Sequence, residues 1–245
     1  HLAAYRIKEG GFAHLYEDEW VARAGVEDMT DYFALALAIL QDVRLPATGV
    51  SSPWGTGDRN EALYAEAIGA ALQNFEQDRH ITLPARFREL EAGRLQKLLD
   101  VWLAVEEKRG LPFEVIACEQ AAEVEIEEIK VKMIVDRIDR LVDGRQIIID
   151  YKTGAAIDTR NWAEQRISEP QLPIYAALVN DEVAAVVFAK VLLDKPGFAG
   201  VADARDILPG VQGIGDDKQK IFDPAEFPDW IAVVTHWRER LHAIA

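Results

Sequence analysis

The segment from Phe113 to Tyr151 constrains this chain more than any other. After Pro112 the sequence turns to short runs rich in Val and Ile: Phe113 to Ala117, Val124 to Ile126, Ile129 to Val142 and Gln146 to Tyr151. β-branched residues in runs of this length read as strands. Asp143-Gly144 separates the last two runs, and this dipeptide favours a tight type I′ hairpin turn. The pairing predicts that Asp136 and Asp150 lie on neighbouring antiparallel strands.

Helical patterns surround this meander. Thr30 is an N-cap for the apolar stretch Tyr32 to Val43, a turn-rich stretch runs from Ser51 to Asp58, and Asn60 caps a helix to about Asp78. The clearest helix starts near Pro84, a good first helical residue, and stops at Gly110. Its apolar positions Phe87, Leu90, Leu95, Leu98, Leu99, Trp102 and Leu103 keep mostly to i+3 and i+4 steps, so they share one face. Beyond the meander the pattern predicts a helix over Gln171 to Val179 and a buried strand over Val183 to Leu193. A Gly-rich loop from Gly197 to Gly215 and a terminal helix from about Pro228 complete the chain. Helices, then a β-meander, then helix and strand predict an α/β or α+β fold. We divide it into a mainly helical N-terminal subregion, residues 1–110, and a core with a C-terminal helix, residues 111–245.

The chemistry concentrates where the last strand of the meander ends. Ile147-Ile148-Ile149 leads directly into Asp150-Tyr151-Lys152, a buried strand that abruptly becomes charged. Residues two apart on a strand share a face, so Asp150 and Lys152 point to one side and Tyr151 to the other. Phosphodiester hydrolysis needs a charge-neutralising Lewis acid and an activated water. Mg²⁺ supplies both when one or two carboxylates hold it and leave positions open for water. Asp136 and Asp150 are the candidate carboxylates, and the backbone carbonyl of Tyr151 is a further candidate ligand. Lys152 is placed to orient or deprotonate the attacking water and to stabilise the charge building on the phosphorane.

Composition narrows the alternatives. Cys118 is the only cysteine, which excludes an internal disulfide, a zinc ribbon and a four-thiolate iron–sulfur cluster within this chain. Any metal must therefore be held by oxygen or imidazole. The formal charge of −15 argues against a surface that coats nucleic acid non-specifically, because such binding depends on Lys and Arg neutralising phosphates. A carboxylate-held cation with a local basic rim escapes that objection. No apolar run approaches the roughly 20 residues of a membrane helix, and the first residues lack a basic n-region and an apolar h-region. The expectation is a cytoplasmic protein without a membrane partner.

Three ordered motifs carry a family resemblance: Asp136 in VDRIDR, Asp150 and Lys152 in DYKTG, and Gln171 and Tyr175 in QLPIY. Over roughly Leu83 to Val179 the chain resembles the RecB-like branch of the PD-(D/E)XK nucleases, particularly the C-terminal nuclease domain of AddB-type recombination and DNA repair proteins. The resemblance implies a restriction-endonuclease-like core, a mixed β-sheet with a β-meander flanked by helices. It also implies Mg²⁺ or Mn²⁺ as cofactor and DNA as substrate, with exonuclease or end-processing activity. A helicase subunit or further domains of a longer protein are the implied partners. Gln171 and Tyr175 would sit at the active-site edge, touching the DNA backbone or a group behind it, and Arg137 is a further candidate DNA contact. The family's upstream helical His is matched loosely by His14, which alone reads equally as a surface or core histidine. Met133 stands where the family usually has Gly.

Plainer readings exist for each residue. A strand end often turns polar because it reaches solvent; Arg137, Asp139 and Arg140 can form structural ion pairs; Tyr175 occupies an apolar helical position; Glu119 lies in a run explained by a solvated acidic face. Trp54 is the one tryptophan kept as a base-stacking candidate. A nuclease-fold scaffold or DNA-binding module without catalysis, and a hydrolase of non-nucleic phosphoesters, are the competing functions.

Overall fold

The computed structural model describes residues 61–153, 157–180 and 182–244. His14, Thr30, the 32–43 helix and Trp54 lie outside them. The described residues belong to two compact units, residues 61–99 and 100–244. The division falls inside a helix, eleven residues or so before the boundary drawn from sequence texture.

The first unit holds helix α1, Glu61–Asp78, and most of helix α2, Ala85–Glu106. α1 buries Ala67, Ile68, Ala71, Leu72 and Phe75, and α2 buries Phe87, Leu95, Leu98 and Leu99, the i+3/i+4 stripe that the sequence predicts. Glu76 ties the two together: Oε1 accepts the Leu83 N–H at 2.7 Å, and its carboxylate pairs with Arg88. α2 ends at Glu106, before the Gly110 stop read from sequence.

Among the described residues the second unit holds a six-stranded mixed sheet in the order β1-β2-β3-β4-β5-β6. β1 spans Phe113–Ile126, β2 Ile129–Leu141, β3 Gln146–Lys152, β4 Val183–Lys190, β5 Gly197–Ala202 and β6 Gln212–Gly213. β1, β2 and β3 form the antiparallel meander, and β3 pairs with β4 in parallel. That crossover requires an intervening connection. It is supplied by a 3₁₀ turn, Arg160–Ala163, and helix α3, Gln171–Ile174, which continues as a π-helical turn, Tyr175–Val179. Helix α4, Trp230–Ile244, closes the unit.

Alternation along the strands sends side chains to two separate cores. On one face Tyr151 of β3 and Phe198 of β5 meet Trp102 of α2 edge-on, with ring centroids 5.9 and 5.1 Å away. On the other, Ile138, Ile148, Val186, Phe188 and Val201 join Trp162, α3 and α4 in one apolar cluster. Trp237 is its centre: fully buried, edge-on to Trp162, Phe222 and Trp230, with Nε1–H donating to the Trp162 carbonyl at 2.9 Å. Trp237→Ala is expected to destabilise the fold by about 3–5 kcal/mol, read as a lowered urea midpoint at unchanged slope.

Several local readings are corrected. The two short runs Phe113–Ala117 and Val124–Ile126 are one strand, because the polar residues between them sit on a sheet edge where charge is tolerated and discourages further pairing. The hairpin at Asp143-Gly144 is not type I′. Leu141 and Arg145 close a three-residue loop, the Gly144 N–H donates to the Leu141 carbonyl at 3.0 Å, and only Gly144 takes a positive φ, 92°. This is a type I turn followed by a left-handed glycine, and Asp143 stabilises it by accepting the Arg145 N–H at 3.0 Å. The Gly-rich stretch after Gly197 is not all loop, since it holds β5 and β6. Gly200 is glycine because a Cβ there would collide with the Val186 carbonyl oxygen on β4. The strand read as Val183 to Leu193 ends at Lys190.

The sheet flanked by helices is consistent with the restriction-endonuclease-like α/β core expected above. Among the described residues no helix is long and apolar enough to cross a membrane.

Candidate active site

β2 and β3 stay paired from the hairpin to Arg137 opposite Ile149, and there the ladder ends. By strand alternation the next β3 groups to face β2 are those of Tyr151. Its N–H does not meet a β2 carbonyl but donates to Asp136 Oδ2 at 2.7 Å. The carboxylate of Asp136 thus stands in for the missing backbone partner in the gap where the strands part. The Tyr151 carbonyl faces the same gap.

Asp150 and Lys152 share the face occupied by Phe188, which is in register with Asp150. Asp150 is buried at 4 % exposure, and its Oδ2 lies 2.7 Å from Lys152 Nζ in a contact that is not aligned as a hydrogen bond. Burial pushes the Asp150 carboxyl above the usual carboxylate range, against the pull of Lys152. Burial works against the charge of Lys152 too, but Asp150 first, and then Glu169 and Asp136, hold its ammonium above the ordinary lysine range. The lysine therefore stays charged at neutral pH beside a carboxylate that is poorly solvated.

Tyr151 is fixed from behind. Its hydroxyl accepts a hydrogen bond from Arg137 Nη1 at 3.1 Å, and burial pushes its phenol upward. Arg137 is 1 % exposed, grips Asp139 through Nε at 2.6 Å and Nη2 at 2.8 Å, and reaches Glu106 through Nη1 at 2.8 Å. Arg109 completes the cluster, 2.6 Å from Asp139 and stacked 3.3 Å from the Phe113 ring centroid. Two buried cations meet two buried anions, as burial of charge requires. Arg137 as a DNA contact is corrected: its strand position points it opposite to Asp136, into the protein, where it forms the ion pair that was the plainer reading.

Gln171 opens α3, and its Nε2 donates to the Ile134 carbonyl on β2, two residues before Asp136. One helical turn on, Tyr175 is 4 % exposed within the apolar cluster, and burial pushes its phenol upward. Its ring belongs to the core rather than to a DNA-facing surface. His14 lies outside the described residues.

Glu169 escaped the sequence reading. It directly precedes the Pro170-Gln171 start of α3, its carbonyl accepts the Trp162 indole N–H at 3.3 Å, and its backbone takes the left-handed region at φ 52°. Its charge acts on both Asp150 and Lys152. No motif marks it, and only the fold of the 157–170 connection carries it to the site.

Asp136, Asp150 and the Tyr151 carbonyl are hard oxygen donors of the kind that hold Mg²⁺ through one or two carboxylates with water in the other positions. Among the described residues no group of three or more His, Cys, Asp or Glu could hold a metal, and Asp136 and Asp150 are the carboxylates that flank the strand gap. The buried, poorly solvated Asp150 is suited to a cation. No curated protein matches the sequence. A family model does match, over residues 38–243, most of the chain and all six strands, and on that match the chain belongs to the PD-(D/E)XK nuclease superfamily.

Proposed function

We propose that this chain is a divalent-metal-dependent DNA nuclease of the RecB-like, AddB-related branch, an exonuclease or end-processing module of a longer recombination or repair protein. The observation that carries the reading is the juxtaposition at the end of β3: Asp150 and Lys152 on one face, with Asp136 bound across the strand gap to the N–H between them. The ordered motifs ending in Gln171 and Tyr175 support the branch.

Asp136, Asp150 and the Tyr151 carbonyl would hold Mg²⁺ or Mn²⁺, which when bound supplies Lewis-acid neutralisation of the phosphate and a more acidic water. Lys152 remains charged, so it orients the attacking water and stabilises negative charge on the phosphoryl oxygens as the bond to the leaving oxygen lengthens. Asp150 holds the Lys152 ammonium at 2.7 Å and so fixes where that charge acts. Arg137, through the Tyr151 hydroxyl, keeps the Asp150-Tyr151-Lys152 segment in place. Gln171 ties α3 to the strand that carries Asp136.

End-labelled linear DNA with a circular control, incubated with Mg²⁺, Mn²⁺ or EDTA, tests the reading. The expected result is metal-dependent loss of the linear substrate while the closed circle survives. Cutting of both would assign an endonuclease. The acidic balance, a formal charge of −15, motivates one other reading, a nuclease-fold module that binds DNA without cutting. Metal-independent binding with no cleavage under any condition would establish it instead.

A further inference from the structure

Beside Lys152 the sheet places a second lysine. β3 and β4 run parallel in the register Asp150 to Phe188 and Lys152 to Lys190, so Lys190 leaves the sheet on the face of Asp150 and Lys152. The register is held to its end, where the Val191 N–H donates to the Lys152 carbonyl at 2.9 Å. On its other side Lys190 is opposite Gly197 of β5. Gly197 places no side chain beside it on that strand.

The two lysines differ in what neutralises them. Lys152 has Asp150 at 2.7 Å, whereas Lys190 is half-buried and has no ion pair among the described residues. Like charges directly opposite on neighbouring strands destabilise a sheet, and an anion lying between them removes that penalty. In a chain of formal charge −15, a lysine set by strand register beside Lys152 adds positive charge at the one place where a phosphate would meet the carboxylate site.

We infer that Lys190 is a phosphate-binding residue of the site, holding a backbone phosphate of the DNA next to the one that Lys152 faces. The inference rests on the nuclease reading above and extends it to a residue that belongs to none of the three sequence motifs. Lys190 acts as a point charge on the substrate and moves no proton.

Binding of fluorescein-labelled linear duplex DNA to the whole chain, read by anisotropy over a salt series with Ca²⁺ replacing Mg²⁺, tests it. Neutralising one phosphate contributes about 0.9 to the slope of log affinity against log salt. Lys190→Ala is therefore expected to lower that slope by about 0.9 and to weaken binding about eightfold near 0.1 M salt. Lys190→Arg, which keeps the charge, restores both, an outcome that loss of packing does not produce. In cleavage assays with Mg²⁺, Lys190→Ala raises KM with little change in kcat, the sign of binding shared by ground and transition states. A wild-type slope and affinity in Lys190→Ala, with DNA still cut, overturns the phosphate contact alone. A wild-type chain that neither binds nor cuts DNA overturns the contact together with the nuclease reading.

Discussion

Asp150→Asn is expected to lower metal-dependent DNA cleavage by at least about 10²-fold, the scale of losing one preorganised charge at a phosphoryl-transfer site. The substitution keeps the shape of the side chain and removes only its charge, so the β3 strand and its register with β4 survive. Two consequences separate this outcome from misfolding. A divalent cation that binds the folded wild type raises its melting temperature by mass action, and Asp150→Asn loses that rise while circular dichroism stays native. Lys152→Ala is expected to lose about 10²–10⁴-fold in rate yet keep the metal-induced rise, because the lysine is not a ligand. Asp136→Asn should behave like Asp150→Asn and additionally weaken the acceptor of the Tyr151 N–H. If all three cut like wild type, the site assignment is wrong whatever the family.

Why these three positions could be read from sequence follows from where they sit. Asp150 and Lys152 end an apolar run, and the strand period of two decides which residues share a face; the hairpin then sets Asp136 against them. Each inference uses neighbours within about 15 residues. The turn type is not legible in the same way, because Asp-Gly suits both a type I′ loop and a type I turn with a left-handed glycine, and the loop length that separates them depends on which residues pair. β5 was hidden because Gly200 answers to the close approach of β4, a demand invisible from its own neighbours. Lys190 and Glu169 needed still longer connections. A parallel pairing across a crossover sets the first beside Lys152, and the 157–170 connection brings the second within electrostatic reach of Asp150. Arg137 failed in the opposite direction: its place beside Asp136 in sequence suggested shared surroundings, and the strand alternation that unites Asp150 with Lys152 separates Arg137 from Asp136.

Arg137→Met is the substitution expected to cost the fold most per atom changed. The guanidinium is buried and forms the bidentate grip on Asp139 and the contact with Glu106. Removing it leaves two buried carboxylates with Arg109 as their remaining cation, and breaking a buried pair in this way typically costs about 3–5 kcal/mol. Since small domains have only about 5–15 kcal/mol in total, the urea midpoint should fall far. Arg137→Lys should fail too, because one ammonium cannot make the planar fork that holds Asp139 through two nitrogens. Removing a partner tests whether charge imbalance is the cause. In Arg137→Met combined with Asp139→Leu, Glu106 and Arg109 still pair and no carboxylate is orphaned, so part of the loss should return, read as a coupling energy in the double-mutant cycle. DNA binding supplies the second readout: a buried Arg137 neutralises no phosphate, so at temperatures where Arg137→Met is folded the salt slope should equal that of wild type. A slope lowered by about 0.9 with an unchanged urea midpoint would mean that Arg137 faces the DNA, and the orientation of β2 at the site would have to be the reverse of the one described.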